Sequence, residues 1–318
     1  MNGLERPPFH GIRKVVIVGA GAVGGYFGGL LSRAGSDVTF LVRPRTYAQI
    51  SKNGLEVKSI DGDFLVHPPV VQSVAEIDSA DLIVLAVKCY DVPEVLRAVE
   101  PLVKGGAILL TLQNGISSED EILHYFNSDC VVAGVAYITS KRLAPGLIEH
   151  SENGIIALGE LSGEKSDRAA AIHDLFSSTG ISCFLKGNIR QAKWEKLCWN
   201  ATFNPLSVIL DAPVSLVLET PSLLERVKDG IREVAAVAKA EGITVHPEIV
   251  ENTLAETRPI GAFYTSMYED VKQGKPTEID FLNGEVIRRG EKMGVPTPTH
   301  QLLFALIKGF EAKGSKGA

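Results

Sequence analysis

Apolar positions fall into two different rhythms along this chain. Through the first 187 residues they form short, largely β-branched runs separated by glycine and aspartate turns. Arg13–Val18, Val38–Val42, Leu82–Val87, Ala107–Leu112 and Val131–Ile138 have strand length. Leu82–Val87 is continuously apolar, which predicts a parallel strand buried on both faces. Leu55–Val57 and Phe64–Val66 predict a small hairpin around Asp61-Gly62. Gly146–Leu158 predicts two short strands around Asn153-Gly154, and Ile181–Leu185 a last strand. Helical spacing intervenes at Val23–Leu31, ending at Gly35, at Ile116–Phe126, at Arg168–Ser177 and at Val92–Val103, which Pro101 is expected to close early.

The rhythm changes near Gly187-Asn188. From Ile189 onward no strand is predicted. Helical periodicity runs through Ile189–Leu210, Leu223–Glu241, Pro247–Thr257, Ala262–Lys272, Glu278–Met293 and His300–Ala312, with Gly242, Gly274 and Gly294 placed to end helices. The expected organisation is an α/β Rossmann domain with a doubly wound, mostly parallel sheet over 1–187 and an all-α domain over 188–318. Met1–Arg13 is expected to be a loose leader and Lys313–Ala318 a frayed tail.

Composition narrows the function classes. A chain of 318 residues with 45% hydrophobic content can build two cores. Net charge is −6 with both signs scattered, so no basic stripe points to nucleic acid. No apolar stretch approaches the ~20 residues that span a bilayer, and no secretory h-region precedes the first strand. A cytoplasmic enzyme is expected. Cys89, Cys130, Cys183 and Cys198 lie far apart and predict buried, reduced thiols. The 7 histidines are dispersed, and no metal site is expected.

The candidate chemistry begins at Gly19-Ala20-Gly21-Ala22-Val23-Gly24. This G-x-G-x-x-G follows a predicted strand and opens a predicted helix, the context a dinucleotide loop requires. Gly19 permits the turn, Gly21 lets the pyrophosphate approach and Gly24 lets helix and strand pack. The second strand ends in Phe40-Leu41-Val42-Arg43-Pro44-Arg45, with no acid to bind a ribose 2′-hydroxyl. Arg43, supported by Arg45, is the expected reader of a 2′-phosphate, so the expected cofactor is NADP. Lys88 and Asn114-Gly115 follow two further strands, at the edge where open α/β sheets bind ligands. In the helical half, Lys196, Asn200 and Asn204 recur at i, i+4, i+8 and share one face, while Trp194, Leu197 and Phe203 pack elsewhere. Asparagine weakens a helix, so this stripe suits a polar pocket better than a solvated surface. Thr277-Glu278 is expected to open a helix after Pro276, and Asn283-Gly284 is locally unfavourable within it.

Taken together these residues resemble the ketopantoate reductase family from about Arg13 to Phe310. Gly19–Gly24, Val87-Lys88, Gln113-Asn114-Gly115, Lys196-x-x-x-Asn200-x-x-x-Asn204-Pro205 and Ser266 with Thr277-Glu278-Ile279-Asp280 carry the likeness in order. The resemblance implies a Rossmann domain joined to a helical domain like that of 6-phosphogluconate dehydrogenases, with the active site in the cleft. It implies reduction of 2-dehydropantoate to (R)-pantoate by NADPH, on the route to pantothenate and coenzyme A. Lys196 is then the proton donor, and Asn200, Asn204 and Ser266 hold the substrate. Glu278 lies near the cofactor and the lysine, whose charge it can tune, while Lys88, Asn114 and Ser140 match cofactor contacts and Arg43 the 2′-phosphate reader. One position departs from the pattern: Val214 stands where relatives often carry a substrate-binding asparagine. A relative acting on another 2-keto or 3-hydroxy acid, or a non-catalytic NADP-binding regulator, are the alternatives. The expected partner is a small 2-keto acid, with a homodimer left open.

Overall fold

The computed structural model describes residues 11–314. Most of the leader and tail expectations therefore lie outside the described residues, although Lys313 and Gly314 still belong to the last helix, Pro298–Gly314. The chain divides into two compact units. One runs up to Gln113 and resumes over Ser118–Ile189; the other joins Asn114–Ser117 to the residues from Arg190 onward.

The first unit is built on a 10-stranded sheet. Its strands are β1 (Lys14–Val18), β2 (Asp37–Leu41), β3 (Leu55–Ser59), β4 (Phe64–Val66), β5 (Val70–Val71), β6 (Leu82–Leu85), β7 (Ile108–Thr111), β8 (Val131–Ala144), β9 (Leu147–Gly159) and β10 (Cys183–Leu185). They lie in the order β4-β3-β9-β8-β7-β6-β1-β2-β5, with β10 beside β9. Among the described residues only β3/β4 and β8/β9 pair antiparallel; the other pairs are parallel, as expected of a Rossmann unit. Alternate residues feed two separate cores. Val15, Ile17, Leu82 and Val84 face one, whereas Val16, Val18, Ile83 and Leu85 face the other. Burial on both faces is why these strands read as continuous apolar runs.

Several elements differ from expectation for identifiable reasons. Pro101 does not close its helix, which continues over Val92–Lys104. Pro101 and Arg97, the residue whose carbonyl it leaves without a partner, are both exposed, so water can serve that carbonyl. Asn153-Gly154 is not a turn between two strands. Tyr137 pairs with Ile155 and Ile138 with Asn153, so Gly154 is a bulge inside the single strand β9. A Cβ there would stand 2.9 Å from the Tyr26 hydroxyl. The helix Pro44–Asn53 was not expected, because it buries only Thr46 and Ile50. Thr277-Glu278 does not open a helix: the helix starts at Asn283, after a turn that buries Glu278, Ile279 and Leu282. Leu282, at φ −104° and ψ −87°, interrupts helical geometry.

The second unit is helical among the described residues, with Ile189–Leu210, Val214–Glu219, Pro221–Ala240, Ile249–Thr257, Ser266–Lys272, Asn283–Met293 and Pro298–Gly314 around a core of Leu197, Phe203, Val234 and Val286. Ile116 belongs to this core too. The four cysteines are buried free thiols. Among the described residues no helix is long and apolar enough to cross a membrane, and no group of three or more His, Cys, Asp and Glu is placed to hold a metal.

Candidate active site

Parallel register aligns four strand ends in the first unit. Leu41 pairs with Val18, Val18 with Leu85, and Leu85 with Thr111. Two residues further along each strand, Arg43, Ala20, Val87 and Gln113 therefore lie in one row across the carboxyl edge. Such an edge, where strand order turns outward on both sides of β1, is where open α/β sheets take their ligands.

The glycine loop occupies the centre of that row. Gly19 has φ +96°. The helix Ala22–Arg33 then begins at Gly21, with no side-chain cap and no acidic residue in its first turn. Its first internal bond runs from Gly25 N to Gly21 O at 2.8 Å, so the amides of Ala22, Val23 and Gly24 come before the helical ladder. A Cβ on Gly24 would collide with the Gly19 carbonyl oxygen and stand 2.8 Å from the Ala86 Cβ. A Cβ on Gly21 would meet nothing nearer than 3.9 Å. One glycine is thus required by packing and the other leaves an open face over a helix N-terminus. That combination fits a pyrophosphate.

At one end of the row, the Arg43 guanidinium donates to Asp91 Oδ1 at 2.8 Å, with its side chain 77% exposed. Asp91 lies in the short turn that Lys88 begins, its amide donating to Lys88 O at 2.9 Å. No carboxylate follows β2 directly, and the exposed guanidinium fits a phosphate better than a ribose diol. Ser140 is further along β8 than this row, paired with His150 where the β8/β9 register shifts.

The second unit holds the other candidates. Lys196 Nζ donates to Asn114 Oδ1 at 3.1 Å, and Asn200 Nδ2 donates to the same oxygen at 3.3 Å. Asn204 is buried and its Oδ1 has no hydrogen-bond partner. Thr265 Oγ1 donates to Asn204 O at 3.4 Å and caps the helix Ser266–Lys272, which puts exposed Ser266 in its first turn. Gly115, at φ +81°, lies against the Phe281 carbonyl, so the Asn114-Gly115 segment abuts the turn that buries Glu278. Asn114, expected on the cofactor side, is thus hydrogen-bonded to the lysine and asparagine of the helical stripe.

Electrostatics single out Lys196. Burial of its ammonium, then repulsion by Lys193, pull its pKa down to about 8, while Glu278 pulls the other way. Sequence reasoning passed over Lys193, a buried lysine one helical turn before Lys196. Its i, i+3 spacing was the available signal. Gln113, quoted only as part of the Gln113-Asn114-Gly115 match, was given no role of its own; both polar atoms of its amide are buried without a hydrogen-bond partner.

Models of the two halves of one family match this chain: "Ketopantoate reductase PanE/ApbA" over residues 15–163 and its C-terminal counterpart over residues 188–311. The chain belongs to the ketopantoate reductase family. Members are NADP-dependent oxidoreductases acting on a CH–OH group. A 2-dehydropantoate 2-reductase from Pyrococcus abyssi is 33% identical over 306 residues, 95% of this chain and 99% of that protein. The crystal structure of 2-dehydropantoate 2-reductase from Geobacter metallireducens superposes with a TM-score of 0.89 at 34% identity, covering 93% of this chain and 99% of that one. D-mandelate dehydrogenase, in its ternary structure with NADH and anilino(oxo)acetate, also reaches 0.89, at 30% identity over 95% of this chain and 99% of that one. Family membership therefore establishes the fold and the oxidoreductase class, while likeness of fold extends to a dehydrogenase of another acid.

Proposed function

We propose that this chain reduces 2-dehydropantoate to (R)-pantoate, with NADPH as reductant and Lys196 as proton donor, in the route to pantothenate. The observation that carries this reading is Lys196 itself, an enclosed ammonium with a pKa of about 8, beside two asparagine amides and a buried carboxylate. When bound, NADPH supplies the hydride. The ketone oxygen gathers negative charge as its carbon is reduced, and the Lys196 ammonium stabilises that charge and then gives up a proton to it. The Asn200 Nδ2 can donate to the carboxylate, the unpartnered Asn204 Oδ1 can accept from the hydroxyl, and Ser266 can contact the same substrate. Glu278 favours the charged lysine, and Lys193 opposes it.

Arg43 supports NADPH over NADH, and Lys88 stands at the same strand edge. Arg43→Ala is expected to raise the KM for NADPH about tenfold or more and to leave that for NADH nearly unchanged, since a charge-assisted phosphate contact is worth roughly 1.5–3 kcal/mol. An unchanged KM for NADPH would remove Arg43 from this role.

A second reading, a reductase of another 2-keto acid, is favoured by Val214. This residue is 1% exposed, its amide donates to Phe263 O at 2.8 Å, and it offers no polar side chain. NADPH oxidation assayed against ketopantoate, 2-ketoisovalerate and benzoylformate separates the two. Ketopantoate should give the highest kcat/KM; turnover only with the others would select the second reading.

A further inference from the structure

Gln113 is the first residue beyond the end of the β6/β7 ladder, which Leu112 closes by donating to Leu85 O at 3.1 Å. It is 7% exposed. Both its Nε2 and its Oε1 are buried without a hydrogen-bond partner among the described residues. A primary amide enclosed in this way has surrendered its hydrogen bonds to water and replaced neither donor nor acceptor. Buried amides ordinarily find partners, so a doubly orphaned one demands an explanation. Its position is informative. Along the row of strand ends, Arg43 marks one extreme, the glycine loop the middle and Gln113 the other extreme. Neighbouring strands are spaced by about 4.8 Å, so Gln113 stands two spacings, about 10 Å, from the loop after β1. That is the reach of a ribose and an attached ring. Terminal torsions of glutamine are soft, so the amide can turn toward a ligand lying along the strand ends.

We propose that Gln113 recognises the carboxamide of the bound nicotinamide, its amide pairing with that amide through reciprocal N–H···O contacts. The inference rests on the dinucleotide reading of this edge and is independent of which keto acid is reduced. A carboxamide presents one acceptor and a donor on the same side, the complement of what Gln113 offers. The 2′-phosphate end, held by Arg43, lies at the opposite extreme of the row. The pair would also fix which face of the ring is turned outward, because a ring flipped about its glycosidic bond carries its carboxamide away.

The test compares NADPH with the reduced 3-acetylpyridine analogue, in which a methyl replaces the amide nitrogen. Calorimetric titration of the whole protein, with no keto acid present, should show the wild type binding the analogue about tenfold more weakly than NADPH, the worth of one lost hydrogen bond. Gln113→Leu should bind both with the same affinity, no tighter than the wild type binds the analogue, since leucine removes the contact to the carbonyl as well. Equal binding of both by the wild type overturns the proposal and leaves the amide to a buried water. So does a Gln113→Leu protein that still discriminates. Should the leucine variant fail to fold, Gln113→Met serves in its place, and the wild-type ratio stands without either. Absence of NADPH binding by the wild type would sink the dinucleotide reading itself, an outcome distinct from binding without discrimination.

Discussion

Lys196→Ala should lower turnover by about 10²–10⁴-fold, the usual contribution of a positioned proton donor. The same variant should bind NADPH almost as tightly as the wild type, since Lys196 belongs to the helical unit and the glycine loop to the other. Single-turnover kinetics beside a calorimetric titration would measure both; near-normal turnover removes Lys196 from its role. The pH profile makes the assignment more specific. Lys196 must be protonated to donate, and its pKa is lowered to about 8 from 10.5. Reductive turnover should be full below that value and fall about tenfold per pH unit above it, while the oxidative direction should gain over the same range. Glu278→Gln should shift the limb to lower pH, because the carboxylate raises this pKa. The lysine's own contribution to stability moves the opposite way. Between about 8 and 10.5 the unfolded chain holds a proton on this lysine that the native chain has released, so this contribution rises with pH across the window in which reduction is lost, opposed above about 9 by Cys183 and Cys198, whose thiols burial keeps protonated.

Gly24→Ala should both destabilise the protein and abolish tight NADPH binding. The added Cβ would collide with the Gly19 carbonyl oxygen, a backbone atom that cannot swing aside, and come within 2.8 Å of the Ala86 Cβ. The helix Ala22–Arg33 must lift from the sheet, at a cost of about 1–3 kcal/mol from overpacking alone. Its displaced N-terminal amides no longer converge on a pyrophosphate. Gly21→Ala is the contrasting case, since its Cβ would touch nothing within 3.9 Å. It should keep the wild-type melting temperature and lose affinity only. Thermal unfolding with NADPH titration distinguishes the two variants. A Gly24→Ala protein that melts and binds normally would refute this geometry.

The parts of the fold legible in sequence were those whose burial is extreme. Leu82–Leu85 is buried on both faces and could hardly be mistaken. Pro44–Asn53 escaped notice because its apolar stripe is narrow, although Pro44 at its start and Gly54 after its end were punctuation for a helix. Asn153-Gly154 carries the residues of a hairpin turn, yet β9 absorbs both because pairing with β8 continues on either side. Glu278 was sought on a helix and lies in a buried turn instead. In the site, Lys196, Asn200 and Asn204 were visible as a stripe because helical spacing is a local property. Asn114 joins them through bonds that span 82 and 86 residues of sequence, and local patterning carries no trace of those. The isolation of Gln113 was equally invisible, since an unsatisfied amide is a property of its surroundings and not of its neighbours in sequence.

The excursion of Asn114–Ser117 into the helical unit has a consequence for anyone recombining the halves of such enzymes. A gene cut between residues 189 and 190 would deliver the helical unit without Ile116 from its core and without the carbonyl that receives both Lys196 and Asn200. A chimera that transplants the helical unit between relatives must therefore be spliced at three points, after residues 113, 117 and 189. A single crossover leaves each recipient with the other parent's tetrapeptide against Lys196 and Asn200.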